Sequence, residues 1–449
     1  MRLSLRPLAF AIALAGFAGG ASAADLMQAY ELARQSDPVL SAAESDRMIT
    51  GEGVVQGRAR LLPQISGSAS LTDSRIRGVD GYGRDRSYGL SLSQSLYDHG
   101  NYTALRAAKL RDEQAAYGLK AEADNLLVRV ADAYFNVLTA IETLASSRAE
   151  ERSVKRQLDQ AEKRLEVGLA PITDVHEARA RYDSARANAI AAATALEDSR
   201  EALAEITGER LDGLRGLSPD YKPTNTESGS ADEWVAIANE SNPTLKAAEL
   251  ALAAAERDIG TARANHLPSL SASASIGDNA GWQNEYPGGP NTSGGGSTVG
   301  ISLSVPLYAG GAVQSGVRQA VHGRDIAADR LEQQRRAVER LTRNAQRSLS
   351  AGEAEVEARR LSVVSAQAAY EASEAGLEVG TRTIVDVLIS QQALFQAQRE
   401  YARARHAFLV NTLRLKQAAG TIAIEDLQAV NAVLVADAEA ALADFDGAQ

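Results

Sequence analysis

Apolar and polar positions alternate strictly in several short stretches, and long runs of a different period follow them. Leu270, Ala272, Ala274 and Ile276 alternate with serines. Tyr88, Leu90 and Leu92 do the same, as do Val299, Ile301, Leu303, Val305 and Leu307. A period of two predicts strands with one apolar and one polar face. The pattern places strands near 64–72, 86–97, 269–277 and 298–308, joined by Gly-rich polar loops over 73–85 and 278–297. Strands of roughly ten residues are long enough to cross a bilayer when tilted. The same alternation also fits an ordinary half-buried sheet, so it does not decide for a membrane by itself.

After the strands the period becomes helical. Leu119, Leu126, Val130, Tyr134, Val137, Ile141 and Leu144 recur three, four or seven positions apart, and Val154, Leu158, Ala161 and Leu165 continue the stripe. No proline interrupts 100–170. A helix of roughly 65 residues, about 100 Å long, is predicted there, with a second over 311–379. Such length points to coiled-coil packing rather than a globular core. Helices about half as long are predicted over 25–61 and 172–208, and Pro63 and Pro268 end the first helix of each set.

The order of elements is a tandem repeat. Asp37-Pro-Val-Leu-Ser-Ala-Ala-Glu44 matches Asn242-Pro-Thr-Leu-Lys-Ala-Ala-Glu249, and Arg60-Leu-Leu-Pro-Gln-Ile-Ser66 matches Asn265-His-Leu-Pro-Ser-Leu-Ser271. Tyr88-Gly-Leu-Ser-Leu-Ser93 matches Val299-Gly-Ile-Ser-Leu-Ser304, and Leu165-Glu-Val-Gly168 matches Leu377-Glu-Val-Gly380. The expected division is 24–223, a linker at 224–230, 231–427 and an acidic tail at 428–449. Two half-length helices stacked end to end match one long helix, so each repeat reads as a long helix paired with a stacked pair. Four strands cannot close a barrel, and an open edge in lipid leaves backbone groups unpaired. Three copies give twelve strands, a pore-sized barrel; two give eight, which side chains fill.

The N-terminus and the composition narrow the compartment. Arg2 and Arg6, a short apolar run and Ala21-Ser-Ala23 make 1–23 a secretory signal peptide. No other long apolar stretch follows, so no transmembrane helix is expected in the mature chain. The chain has no cysteine, which excludes disulfides, thiolate metal sites and thiol nucleophiles. Its net charge of −11 becomes −13 when Arg2 and Arg6 are removed, and an acidic chain without a basic cluster is not a nucleic-acid binder. Gly81-Tyr-Gly83 and Gly294-Gly-Gly296 read as flexible loop rather than phosphate loops, because no Lys-Ser/Thr follows.

Four segments carry a specific likeness: Ala133-Tyr-Phe-Asn-Val-Leu-Thr-Ala140, Arg156-Gln-Leu-Asp-Gln160, Val167-Gly-Leu-Ala-Pro-Ile-Thr-Asp-Val175 and Val379-Gly-Thr-Arg-Thr-Ile-Val-Asp-Val-Leu388. Through them, and over nearly all of 24–431, the chain resembles the TolC family of outer-membrane efflux proteins. The resemblance implies an α+β membrane protein, a homotrimer with a twelve-stranded outer-membrane barrel and a long helical tunnel in the periplasm. It implies a periplasmic adaptor and an inner-membrane efflux pump or ABC transporter as partners, no cofactor, and a periplasmic end that is closed at rest and opens by untwisting of helices.

The turns at 167–173 and 379–383 each end one helix and start another. Gly168 and Gly380 suit the left-handed position after a helix C-terminus, and Thr173 and Thr383 stand near helix starts, where a hydroxyl can cap. The resemblance makes this tip the constriction and the adaptor contact, through Val167, Gly168, Leu169, Val379, Gly380 and Thr381. It carries the closing links to Gln157, Thr173, Asp174, Glu374 and Arg382, with Arg382 bonding Asp174 and Thr173. It makes Asp386 a pore-facing acidic ring, whose crowded carboxylates are expected to have raised pKa values. The chain departs from the best-known pattern at Ile389, where a second aspartate is expected, and at Leu377, where a tyrosine link is expected. One acidic ring, weaker cation block and easier opening follow.

The histidines His99, His176, His266, His322 and His406 have no ligand spacing and read as surface or junction residues. No motif supplies a catalytic constellation, so an enzyme is not expected. The alternative reading is a periplasmic coiled-coil adaptor or structural protein, which needs no bilayer-length strands.

Overall fold

The structure, a computed structural model, describes residues 24–74, 82–218, 221–224, 227, 229–284 and 292–438. The signal peptide expected over 1–23, parts of both strand-connecting loops and of the 224–230 linker, and half of the stretch 428–449 lie outside the described residues. The chain runs α1 (Leu26–Ser36), α2 (Pro38–Ala59), β1 (Gln64–Ser74), β2 (Tyr82–Tyr97), α3 (His99–Glu166), α4 (Ile172–Thr207) and β3 (Arg215–Leu217). It continues α5 (Ala231–Ser241), α6 (Pro243–Ala264), β4 (Ser269–Asn284), β5 (Thr292–Ser304), α7 (Ala312–Glu378), α8 (Ile384–Ala419), α9 (Ile424–Asn431) and β6 (Leu434–Asp437).

The single helix expected over 25–61 is two helices. Asp37 ends α1 with extended backbone and caps α2, its carboxylate accepting from the Leu40 amide at 2.8 Å. Pro38 then fits the first helical position, where its missing N–H costs nothing. Asn242 and Pro243 repeat the break between α5 and α6. At each break a stacked pair meets end to end. Ser36 Oγ donates to the Thr207 carbonyl at 2.6 Å, and Asn242 Nδ2 donates to the Ala418 carbonyl at 2.9 Å. Thus α4 abuts the α1–α2 joint alongside α3, and α8 abuts the α5–α6 joint between α3 and α7.

The strands form one antiparallel sheet in the order β1-β2-β4-β5. Its register puts Ile65, Leu92, Ala274 and Val299 in one row and Ser66, Ser91, Ser275 and Thr298 in the next, on the opposite face. One face is apolar over several rows and the other is serine and threonine, with Ser66 and Ser91 hydroxyls 2.7 Å apart and Ser70 and Ser87 hydroxyls 2.8 Å apart. The apolar face is uncovered: Val299 is 83% and Ile301 72% exposed. Tyr88 edges the apolar band at one level and Tyr97, Tyr102 and Tyr308 at the other, as aromatic residues do at membrane interfaces. Among the described residues, no helix is long and apolar enough to cross a membrane.

The strands are longer at the loop end than their alternation indicates. β2 begins at Tyr82 and β4 runs to Asn284, inside stretches expected to be loop. β5 stops at Ser304, short of 308, because Pro306 has no N–H for a ladder. Gly277 is required by the sheet: a Cβ there would lie 2.9 Å from the Tyr88 carbonyl oxygen, which cannot yield.

The main core lies midway along the long helix α3. Leu126, Val130, Tyr134, Val137 and Ile141 of α3 pack against α1, α4, α8 and α9. The Tyr134 ring is fully buried, and its hydroxyl donates to the carbonyls of Ala24 at 3.0 Å and Arg215 at 2.7 Å. A small sheet of β3 and β6 closes this level. The stretch 428–438, expected to belong to an acidic tail, therefore contributes the end of α9 and all of β6, with Leu434 buried. His406 is a second correction. It is buried between α8 and α3, with Nδ1 2.8 Å from Thr139 Oγ1. Burial, with the nearby Arg405 charge, pushes its pKa down to about 3, so it stays neutral in the cell.

Candidate functional site

The end of the molecule farthest from the sheet is built by two helix hairpins, α3–α4 and α7–α8. Each long helix starts beside the strands and carries its turn about 100 Å away. In the first turn the Gly168 N–H donates to the Leu165 carbonyl at 3.0 Å and the Leu169 N–H to the Arg164 carbonyl at 2.7 Å. In the second, Gly380 donates to Leu377 at 3.2 Å and Thr381 to Gly376 at 2.8 Å. Both glycines have φ near +75°, at 74° and 75°, so a side chain at either is strained. The turns leave Val167, Leu169 and Val379 68–74% exposed.

The two hairpins pack on each other above the turns. Val154, Leu158 and Ala161 of α3, Val175 and Ala178 of α4, and Ile384 and Leu388 of α8 form one apolar cluster. Leu377 packs against it, where the resemblance had led to a tyrosine. The first hairpin is stapled by Arg179, which donates to Glu162 at 2.7 Å. In the second, Glu374 accepts from Tyr370 at 3.3 Å along its own helix.

The helix starts after the turns differ. Thr383 caps α8 with a complete capping box: its hydroxyl accepts from the Asp386 N–H at 3.3 Å, and its own N–H donates to the Asp386 carboxylate at 2.9 Å. The hydroxyl also approaches that carboxylate at 2.8 Å. The T-x-x-D spacing was the available signal. In α4 the cap position is Pro171, which has no N–H and makes no side-chain cap. Thr173 lies inside α4 and is not its cap. Asp174, the counterpart of Asp386, therefore has no capping duty.

This fixes the electrostatics of Asp386 within one chain. Bonds from the Thr383 amide and hydroxyl hold its carboxyl below the ordinary value, opposite to the direction expected from crowding. The carboxylate's stabilising role is present above the ordinary carboxylate pKa and lost as pH falls through the lowered folded value. Asp386→Ala should therefore speed hydrogen exchange in the first turn of α8 at neutral pH and leave the first turn of α4 unchanged. Exchange mass spectrometry reads both turns at once; equal rates in variant and wild type would show that the box does not hold the helix start.

The remaining candidates are gathered but not linked. Arg382 is exposed, its stem resting on Gly376, where an added Cβ would come 2.6 Å from Arg382 Cγ. Among the described residues no bond or ion pair joins Arg382 to Thr173 or Asp174 of the same chain, and none joins Gln157 to Glu374. Gln157 is buried, and its Oε1 has no partner. Gln391 and Ser153, buried between α8 and α3, leave no signal in the sequence, because a lone glutamine and a lone serine carry no motif. No group of acidic or histidine residues that could hold a metal occurs among the described residues.

The model for the family described as "Outer membrane efflux protein" matches residues 29–209 and 234–421. The chain is 36% identical to outer membrane protein TolC of Escherichia coli K12, over 96% of this chain and 89% of that protein. The chain belongs to the outer membrane efflux protein family. It is also 30% identical to the alkaline protease secretion protein AprF of Pseudomonas aeruginosa, over 92% of this chain and 88% of that one. Its fold is that of the outer membrane protein VceC of Vibrio cholerae, with a TM-score of 0.70 at 21% identity, covering 88% of this chain and 96% of that one. As a member of the efflux protein family it is an outer-membrane exit duct and not an enzyme. Nothing favours the adaptor alternative.

Proposed function

We propose that three copies close a twelve-stranded barrel and a continuous helical tunnel, gated at the two hairpin turns. The observation that carries this reading is the pair of open flanks. The sheet ends in the unpaired edges β1 and β5. On the flank of β1, α3 is covered by α2 and α4; on the flank of β5, α7 packs on α6 and α8. Ile49 of α2 and Ile190 of α4 are exposed on one side, and Leu361 and Val364 of α7 on the other. Joining β5 and α7 of one copy to β1, α2 and α4 of the next is a head-to-tail contact that closes as a ring. Three copies of four strands leave an open lumen, and the serine face gives it a polar lining.

The gate lies at the other end. Arg382 of one copy pairs with Asp174 of its neighbour, which the missing cap at Pro171 leaves available. Val167, Gly168, Leu169, Val379, Gly380 and Thr381 offer the exposed turn surface to a periplasmic adaptor, and an inner-membrane efflux pump or ABC transporter delivers the cargo. Asp386 rings the entrance, its carboxylate held by the Thr383 amide and hydroxyl of its own chain. The cargo is small amphiphilic molecules, proteins, or both.

A deletion strain tests the reading. Hypersensitivity to detergents, bile salts, dyes and antibiotics, reversed by the intact gene, is the result for small-molecule efflux. Unchanged susceptibility with proteins missing from the medium is the result for protein export. A strain changed in neither respect would sink the export reading.

A further inference from the structure

Aligning the two turns on Gly168 and Gly380 places Gln391 where the first hairpin has Arg179, and Glu374 where it has Glu162. Arg179 staples its own hairpin through Glu162. Gln391 instead reaches across to the other hairpin. Its Nε2 donates to Ser153 Oγ on α3 at 2.6 Å, in a seam where Gln391 is 1% exposed. Within its own hairpin it has a long contact, 3.5 Å to the Tyr370 hydroxyl. The next residue, Gln392, accepts from Arg181 on α4 at 3.1 Å. Neighbouring residues of α8 thus grip both helices of the first hairpin.

The two grips are unequal. The Arg181 bond is at the surface, where water and salt compete with it. The Gln391 bond is buried, where a broken bond leaves two polar groups without water. Ser153 Oγ also accepts from Arg156 at 3.2 Å, and Gln391 Oε1 has no partner. The carboxamide is therefore held by its amide side alone. Any motion that parts the second hairpin from the first breaks this bond, while Arg179–Glu162 travels intact within the first hairpin.

We propose that Gln391 and Ser153 form a clasp that holds the second hairpin against the first in the closed tip, one clasp per copy. The clasp rests on the reading of the tip as the gate. It is a positioning contact: it touches no cargo and sets where α8 sits, and with it the turn that carries Arg382 and Asp386.

The test is single-channel recording of the purified, full-length protein in planar bilayers, comparing wild type, Gln391→Leu, Ser153→Ala, the double variant and Arg382→Ser. Gln391→Leu keeps the volume and removes the donor; Ser153→Ala is the milder change if the first does not assemble. Each single variant is expected to raise the open-to-closed ratio about fivefold per copy, the equivalent of one buried hydrogen bond. The double variant is expected to add nothing further, because both residues serve one bond. A general loosening of the helices gives additive effects, and additivity overturns the clasp. An open Arg382→Ser channel beside unchanged Gln391→Leu and Ser153→Ala channels overturns the clasp and leaves the gate standing. No change in any variant overturns the gate reading itself.

Discussion

Val299→Arg should all but abolish recovery of the protein from the outer membrane, while Thr298→Arg should leave it nearly normal. The residues are neighbours in β5, and the sheet register puts them on opposite faces. Val299 shares its row with Ala274, Leu92 and Ile65, midway between the level of Tyr88 and that of Tyr97. Among the described residues nothing covers it. An arginine facing lipid at mid-depth costs about 2–4 kcal/mol, and a trimer carries the cost three times. Thr298 belongs to the serine row, where an arginine would meet water in the lumen of the proposed barrel. Immunoblots of outer-membrane fractions, with unheated samples to retain oligomers, read both variants together. Equal tolerance of the two would mean that the alternation marks no lipid face.

Arg382→Ser should open the resting channel. The residue is exposed, and its own chain gives it no partner on the first hairpin. In the proposed ring it would meet Asp174 of the next copy, an aspartate free of capping duty because Pro171 cannot take a capping bond. An exposed pair contributes about 0–1 kcal/mol. Three pairs at roughly 0.7 kcal/mol total about 2 kcal/mol, a shift of about thirtyfold in the open-to-closed ratio. With Leu377 in the apolar cluster, no tyrosine link adds to the closing force at that position. Planar-bilayer conductance should rise, and cells should become sensitive to an antibiotic too large for ordinary porins. Asp174→Asn should do the same, and the two together should do little more than either. Closed channels in both variants would place the constriction elsewhere.

The elements most legible in the sequence were those whose two faces differ in chemistry. The alternation at 270–276 located β4 because serine and aliphatic residues never exchange places there. Its far end is not legible because Asp278, Asn279 and Gly281 look like loop, yet strand pairing holds them extended. Val305 and Leu307 kept the period after pairing had stopped, because Pro306 counts as an ordinary position in a pattern but not in a ladder. The breaks at Pro38 and Pro243 are not legible, since a proline that starts a helix and one that ends it look alike until the cap is seen. The strands β3 and β6 are too short to show a period. At the tip, the glycines and the threonine–aspartate box are local and could be read. The Gln391–Ser153 contact joins helices far apart in sequence and left no trace in spacing. Links between copies are written in neither the spacing nor a single chain.

The open flanks have a consequence for how the protein is made. A newly exported chain carries an apolar sheet face and two unpaired strand edges in water, the combination that drives aggregation. The sheet has no finished state to reach alone. Partnering and entry into lipid must therefore proceed together, and their rate depends on the concentration of newly made chains and not on the folding speed of any one of them. The helical core around Tyr134 is under no such constraint and can form first. Each chain would then wait as a folded tunnel segment with an unfinished sheet until its neighbours arrive.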